Sequence, residues 1–571
     1  MQKRHDQDSY TPRLGRVLKG SNNRSTELLG RHMECSTRYA DHHTQIDMKV
    51  TLTDALIQVD GWLPVMDRLG HYKLRKRKPP EVLAADKKKA KDAGKDPKYV
   101  RKTIDVDSSV ISVDGSTAYF LPGIWPRVKK WLTKQKVPYE VFDKRNPGIR
   151  PEPTWNALVE AGVVLRPGQA EAICAMVTSD TGVIKCPTAF GKTMTIGFLC
   201  LLYPTLNILV LTTSVSVART ITKHLTKTCP GQVGMVGGGK QDTSGKRIIV
   251  STIQSLQHVD VDMVHLCFVD ECHTVNDGKY GEAVATVRFA RRFGLSATPT
   301  RNDGSQLFME SLVGPVIYEM TYAEAVEVGN VNDMRYCMIP VDNCPQFALQ
   351  PTLNDVVRDR FQYYRNQFRN KTIARVVREV RRRLGEDMQI LVMVATIEHL
   401  IDLHQYEGMR DFVPVHYGAA DLPALKSKFK NSWHKDIPWY KYDKKPKDNE
   451  IAQAAFAKGT LKRVICTKSW KAGVDLVGLS IVIRCDHTIS QQDAVQIAGR
   501  GARIRPDKAP VSFIVDFEDK WSPEAIWRSN VRKSRYIEQG WQEVAEGELY
   551  DTLDLVRKYK EEHGTISMEP T

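Results

Sequence analysis

Residues Gly182–Thr193 read GVIKCPTAFGKT, and the rest of the chain is organised around them. An apolar pair, Val183-Ile184, leads into Pro187; a tight loop follows, and Gly191-Lys192-Thr193 opens the helix-like stretch MTIGFLCLL. The reading is strand, loop, helix. Backbone N–H groups at a helix N-terminus bind phosphate oxygens, and a glycine there permits close approach. Pro187, Thr188, Ala189, Phe190 and Gly191 then form a phosphate loop. Lys192 reaches the β and γ phosphates, and the Thr193 hydroxyl holds Mg²⁺. The strict pattern has glycine where this chain has Cys186, so the match is partial.

Composition bounds the rest. A chain of 571 residues, 42% of them hydrophobic, has room for several domains with their own cores. No apolar run approaches the ~20 residues that cross a bilayer. The first residues, MQKRHDQDSY, lack the apolar core of a signal peptide. The eleven cysteines form no CxxC pair, which suits reduced thiols and an intracellular, cytoplasmic home with no membrane partner. The net charge of +16 favours a polyanionic partner, the plain alternative being a solvated basic surface.

Residues 1–47 are polar and basic and read as a loosely held arm. A small unit follows over 48–150, with alternation in Ile104–Asp107 and Val110–Val113, a turn at Asp114-Gly115 and a helix from Trp125 to Lys136. Lysines crowd the stretch from Lys73 to Lys102. Such a run reads either as a solvated loop or as a grip on phosphates.

Beyond it, apolar strand-like runs alternate with helical ones, the pattern of a parallel sheet wrapped by helices. Strands are expected at Gly182–Cys186, Asn207–Thr213, Ile248–Thr252, Val264–Val269 and Phe293–Ala297. A second series follows at Gln389–Ala395, Phe412–His416, Lys462–Thr467, Ser480–Arg484 and Ser512–Phe517. The fold class is therefore α/β: two tandem parallel-sheet domains over 151–325 and 353–520, a linker over 326–352, a small α+β N-terminal domain and a helical tail over 521–571.

Val269-Asp270-Glu271-Cys272-His273 ends an apolar strand. Ligands of open α/β sheets bind at the carboxyl ends of strands, where the phosphate loop also points. Asp270 would hold Mg²⁺, and Glu271 would orient or deprotonate an attacking water. Ser296 and Thr298, in LSATP, place small hydroxyls after another strand, which suits a sensing contact. Gln496, Arg500 and Arg503, in QIAGRGAR, put two arginines three residues apart on one helix face. Guanidinium groups of this kind stabilise charge on a transferring γ-phosphoryl.

The ordered set CPTAFGKT, STIQS, VDECH, LSATPTR, KSWKAGVD and QIAGRGAR resembles the motor core of superfamily 2 helicases, over about Leu165 to Phe517. The resemblance implies two RecA-like domains that bind ATP and Mg²⁺ in a shared cleft and nucleic acid across their tops. It makes Gln169 the adenine-reading glutamine. His273, Ser296 and Thr298 become residues that couple the ATP state to domain closure. Thr252, Gln254 and Thr467 become nucleic-acid backbone contacts, Gly473 and Asp475 part of the nucleotide site, and Arg500 and Arg503 arginine fingers. Ala189 departs from the more usual glycine, which is tolerable if that position does not need positive φ. The DECH box and LRPGQ resemble the UvsW-like and XPB-like double-stranded DNA translocases, and residues 129–145 resemble the small DNA-engaging domain of phage UvsW-type helicases. The segment 418–449 is long for the family. It carries Trp433, Trp439, Tyr440 and Tyr442 among lysines, either to stack on bases or to pack as a surface loop.

The expected function is thus an ATP-dependent DNA helicase or translocase acting on branched or double-stranded DNA in replication, recombination or repair. Proteins of those processes are its expected partners. An RNA helicase and the motor subunit of a restriction or defence complex are the alternatives. A scaffold without activity is disfavoured by the presence of Lys192, Asp270, Glu271 and Arg503.

Overall fold

The computed structural model describes residues 48–93, 100, 102–276, 278–299, 303–350, 353–416, 422–430, 434, 436–444, 446–467, 479–489 and 508–563. Its strands begin with β1 (Lys49–Leu52), β2 (Ile57–Asp60), β3 (His71–Arg77), β4 (Thr103–Ser109), β5 (Ile111–Asp114), β6 (Thr117–Phe120) and β7 (Glu140–Asp143). Five of them form a sheet in the order β5-β6-β2-β1-β7, while β3 and β4 pair only with each other. The sheet is mostly antiparallel, and its inner residues alternate with solvent-facing ones: Val50, Leu52, Ile57, Val59, Ala118 and Phe120 are buried. Helix α1 (Pro80–Asp92) lies between β3 and β4 in the chain, and helix α2 (Trp125–Gln135) buries Val128 and Leu132.

A second sheet comprises β8 (Thr181–Lys185), β9 (Ile208–Thr212), β10 (Val233–Gly237), β11 (Lys240–Gln241), β12 (Ile248–Thr252), β13 (Leu266–Asp270), β14 (Arg291–Ser296) and β15 (Val316–Glu319). Their order is β11-β10-β12-β9-β13-β14-β8-β15, and every pairing but that of β11 is parallel. β9 and β14 are buried at every position, as strands covered by helices on both faces must be.

The small N-terminal sheet and this larger sheet share one body. A single cluster of buried side chains runs from Val50, Phe120 and Leu132 to Leu307 and Leu312. Between them, Gly123 approaches the backbone so closely that a Cβ there would lie 2.1 Å from the Glu310 carbonyl. Asp180, just before β8, receives Arg145 and, at 2.8 Å, Arg150, which also reaches Asp54 at 2.8 Å.

Outside the loop 186–192, the chain divides into two compact units between Glu319 and Met320. The second unit holds β16 (Asp333–Val341), β17 (Ile390–Val394), β18 (Val413–Val415), β19 (Arg463–Thr467), β20 (Ile481–Arg484), β21 (Val511–Asp519) and β22 (Gln542–Glu543), in the order β18-β19-β17-β20-β21-β16-β22, all parallel. Under it lies a buried ion network. Arg369 meets Asp519 at 2.9 Å, Arg532 meets Asp516 at 3.0 Å, and Tyr536 donates to Asp516 at 2.6 Å. Buried charges persist only when paired in this way. The tail is helical over Pro523–Glu538 and Glu546–His563, the latter burying Leu549, Leu553 and Val556.

Two expectations need correction. The linker read over 326–352 contains β16, whose nine residues stay in register with β21 inside the sheet. Asp333, Arg335 and Pro340 hid it by breaking the apolar run. The lysine-rich stretch is not a loop throughout: β3 and α1 occupy its described part. No described helix is long and apolar enough to cross a membrane, and every described cysteine is free.

Candidate active site

The second sheet gathers the predicted chemistry at the carboxyl ends of adjacent strands. β14 lies between β13 and β8, with Asp270 level with Leu295 and Leu295 level with Ile184. Two interstrand spacings, about 10 Å, therefore separate the strand ends that carry Asp270 and the phosphate loop. From β8 the chain passes through Cys186–Gly191 into helix α3 (Lys192–Leu202), so Lys192 and Thr193 occupy its first turn. The Phe190 N–H donates to the Pro187 carbonyl at 3.3 Å and closes the turn.

The loop backbone is left-handed at two positions. Gly191 has φ 101° and Ala189 has φ 76°. The condition under which alanine would be harmless at 189 is not met, because a Cβ disfavours that region. Glu271, the residue after β13, also has positive φ, at 49°. Its strained backbone sets the carboxylate at the turn where β13 ends.

The three residues expected to couple are brought together. His273 Nδ1 and Ser296 Oγ share a hydrogen bond at 2.8 Å, and the Thr298 N–H donates to the same Oγ at 3.1 Å. Glu271 Oε2 lies 3.3 Å from His273 Nδ1. His273, Ser296 and Thr298 are all buried. One serine hydroxyl thus joins the turn after β13 to the segment after β14.

Gln169 is buried at the first turn of a helix (Gln169–Val177) that follows Gly168, itself at φ 81°. Its Oε1 accepts the Arg166 N–H at 2.9 Å, which fixes the side-chain amide against the preceding turn. Thr252 ends β12, is buried, and donates to Ser255 Oγ at 3.0 Å. Gln254 is exposed and donates to the Tyr280 hydroxyl at 2.7 Å. In the second unit, Thr467 ends β19 and is buried. Gly473, Asp475, Gln496, Arg500 and Arg503 lie outside the described residues, as does Trp433.

Two hydroxyls were not singled out from the sequence. Ser214 follows β9 and accepts the Val217 N–H at 3.3 Å; Thr396 follows β17 and accepts the His399 N–H at 3.2 Å. Both cap a helix at a strand's carboxyl end. The signal was a hydroxyl directly after an apolar strand, in LTTS and VAT. Among the aromatics of 418–449, Tyr442 is buried against His404, and Trp439 packs on Phe429, its ring centroid 5.7 Å away. Those two are packing residues, whereas Tyr440 is exposed.

The family model for the type III restriction enzyme res subunit matches residues 162–301, and that for the helicase conserved C-terminal domain matches residues 372–505. The chain is 26% identical over 168 residues to the DNA 3'-5' translocase XPB2 of Sulfurisphaera tokodaii, covering 29% of this chain and 38% of that protein. It is 24% identical over 374 residues to the DNA 3'-5' helicase XPB of Kineococcus radiotolerans, covering 62% of this chain and 60% of the other. The crystal structure of T4 UvsW aligns over 87% of this chain and 99% of that one, at 12% identity and a TM-score of 0.36. The chain thus spans less than two thirds of the length of either curated relative.

The two family models fall one on each of the two larger sheets. Both the helicase C-terminal model and the two curated relatives make the chain similar to helicases and translocases. The two curated relatives named above are both XPB proteins.

Proposed function

We propose that this chain is an ATP-hydrolysing DNA helicase or double-stranded DNA translocase that remodels branched DNA in replication, recombination or repair. The observation that carries the reading is the array at one end of the second sheet: a phosphate loop after β8, Asp270-Glu271 after β13 and the Ser296–His273 bond beside them.

The donor set suits a magnesium nucleotide. Mg²⁺ takes hard oxygen ligands and needs one or two from protein, the rest coming from phosphate and water. Thr193 and Asp270 would be those ligands. MgATP supplies the γ-phosphoryl group and the metal charge that offsets its negative oxygens. Lys192 places its ammonium against the phosphates, and the backbone of Pro187–Gly191 encloses them. Glu271 orients the attacking water and accepts its proton. Gln169 reads the base. Gly473 and Asp475 complete the nucleotide site, while Gln496, Arg500 and Arg503 offset the charge of the transferring group. Thr252, Gln254 and Thr467 contact the nucleic-acid backbone.

The test is ATPase activity measured with duplex DNA, forked DNA and RNA, for the wild type and two variants. Forked and duplex DNA should stimulate the wild type. Lys192→Ala should abolish turnover and weaken nucleotide binding, because the phosphates lose their cationic partner. Glu271→Gln should abolish turnover while nucleotide still binds. Turnover near wild type in either variant would sink the assignment, and stimulation by RNA alone would redirect it to an RNA motor.

A further inference from the structure

Residues 71–109 carry thirteen lysines and arginines against six aspartates and glutamates. That excess of seven is nearly half of the chain's net charge of +16, held in 39 residues. Its described residues form the ribbon β3–β4 with α1 between the two strands in the chain. Neither element has a core of its own. No residue of α1 is buried, and Leu74 is the buried residue of β3. A two-stranded ribbon is at best marginally stable alone, and a helix with no packed face gains nothing from tertiary contacts.

The ribbon is held by the chain just after the coupling residues. The Arg75 N–H donates to the Asp303 carbonyl at 2.8 Å. Gly304, at φ 82°, lies so close that a Cβ there would be 1.9 Å from the Lys73 carbonyl oxygen. Asp303 is itself braced, its Oδ1 accepting from both the N–H and the hydroxyl of Ser305 at 3.0 and 2.7 Å. Two residues after Gly304 a helix begins (Gln306–Val313), and it carries the second seat of the N-terminal sheet. There Gly123 presses on the Glu310 carbonyl, and Arg127 Nε and Nη2 donate to the Glu310 carboxylate at 3.2 and 2.7 Å. Both seats therefore lie on residues 303–310, which start five residues beyond Thr298.

We propose that the β3–β4 ribbon with α1 is a clamp on the phosphates of duplex DNA, and that residues 303–310 transmit the state of the Ser296–Thr298 segment to it. This rests on the reading of the chain as a DNA-stimulated ATPase and adds to it the element that reports DNA to the nucleotide site. The ribbon's exposed lysines face a polyanion through charge alone. Gly304 and Glu310 would turn that grip into a mechanical link, because both seats lie on the one stretch 303–310.

The experiment compares three proteins with the wild type in DNA affinity across salt, basal ATPase, and ATPase at saturating duplex DNA. Replacing Lys87, Lys88, Lys89 and Lys91 by Gln touches no packed residue. It should leave basal ATPase unchanged, weaken duplex binding at least about tenfold and make the salt slope shallower by up to about 3. Gly304→Ala strains the seat and keeps every charge. It should bind duplex DNA as the wild type does and lose stimulation about fivefold or more, the lower range of coupling between sites. Glu310→Arg should show the same loss, and adding Arg127→Glu should restore it.

Wild-type affinity and slope in the lysine variant would overturn the clamp. Full stimulation in Gly304→Ala, or no rescue by the charge swap, would overturn the link. A wild type that no duplex DNA stimulates would instead overturn the functional reading, which separates the two failures.

Discussion

Ala189 sits at φ 76° in the loop proposed to enclose phosphate. An L-residue with a Cβ pays about 1–2 kcal/mol there, and glycine pays nothing. Glycine would also loosen the unfolded chain, at a cost of about 0.4–1 kcal/mol. The strain term is the larger, so Ala189→Gly should hold the loop in its binding shape more of the time. Nucleotide affinity should rise by roughly two- to fivefold, the factor a net gain near 0.5–1 kcal/mol gives. Ala189→Val brings a β-branched side chain to the same φ and should weaken binding by tenfold or more, the cost of a genuine backbone outlier. Titration with a non-hydrolysable ATP analogue checks both. A Gly variant that binds more weakly than the wild type would show that the alanine methyl contributes contacts worth more than the strain it causes.

Among the elements, β13 and β14 are adjacent and in register, and the Ser296 hydroxyl ties the turn after the first to the segment after the second. Removing it leaves the Thr298 N–H and the His273 ring without that partner in a buried place, a loss of about 1–3 kcal/mol. The residues proposed for the chemical step stay intact. Ser296→Ala should therefore hydrolyse ATP within a few-fold of the wild type, while strand displacement per ATP falls by about tenfold, as loss of one buried bond of this size implies. Parallel loss of hydrolysis and displacement would place Ser296 in the chemistry instead. These strands were legible because they are short apolar runs that end in polar residues, Asp270 and Glu271 after one and Ser296 after the other. β10 and β16 were not legible. Two of the five residues of β10 are glycines, and β16 carries Asp333, Arg335 and Pro340 within nine residues. Their membership is decided by neighbours far along the chain, β12 for one and β21 for the other, and local pattern does not contain that. The phosphate loop showed the converse limit. Its residues could be read, but the positive φ of Ala189 is a property of the backbone and had to be seen.

Across the whole molecule, the second unit carries a group of buried histidines that makes its stability depend on pH. Burial holds His404 down to about 4, with Lys441 adding to the effect. Its neutral ring sits between the Tyr442 hydroxyl at 2.6 Å and the Phe412 carbonyl at 2.9 Å. Burial also lowers His416, His487 and, well below its usual value, His399; Asp359 opposes the shift at His487. A histidine with a lowered folded value stays neutral in the native state while the unfolded chain takes up a proton below about 6.5. Its contribution is complete above that value and is lost as pH falls from about 6.5 toward about 4. For His404 alone the loss is about 2 kcal/mol at pH 5 and on the order of 3 kcal/mol by pH 4. Carboxylates with lowered values begin to lose their contribution only near their unfolded values of about 4–4.5, which leaves the range from pH 7 to pH 5 to the histidines. Between pH 7 and pH 5 the amides of β17, β19 and β20 should therefore lose protection against hydrogen exchange sooner than those of β9, β13 and β14. Replacing His404 by Gln removes one titrating group and should flatten the pH dependence of the second unit by about the amount assigned to it, even if it lowers stability at pH 7. Equal loss of protection in both sheets, or an unchanged slope in His404→Gln, would show that the buried histidines do not set the acid limit of the fold.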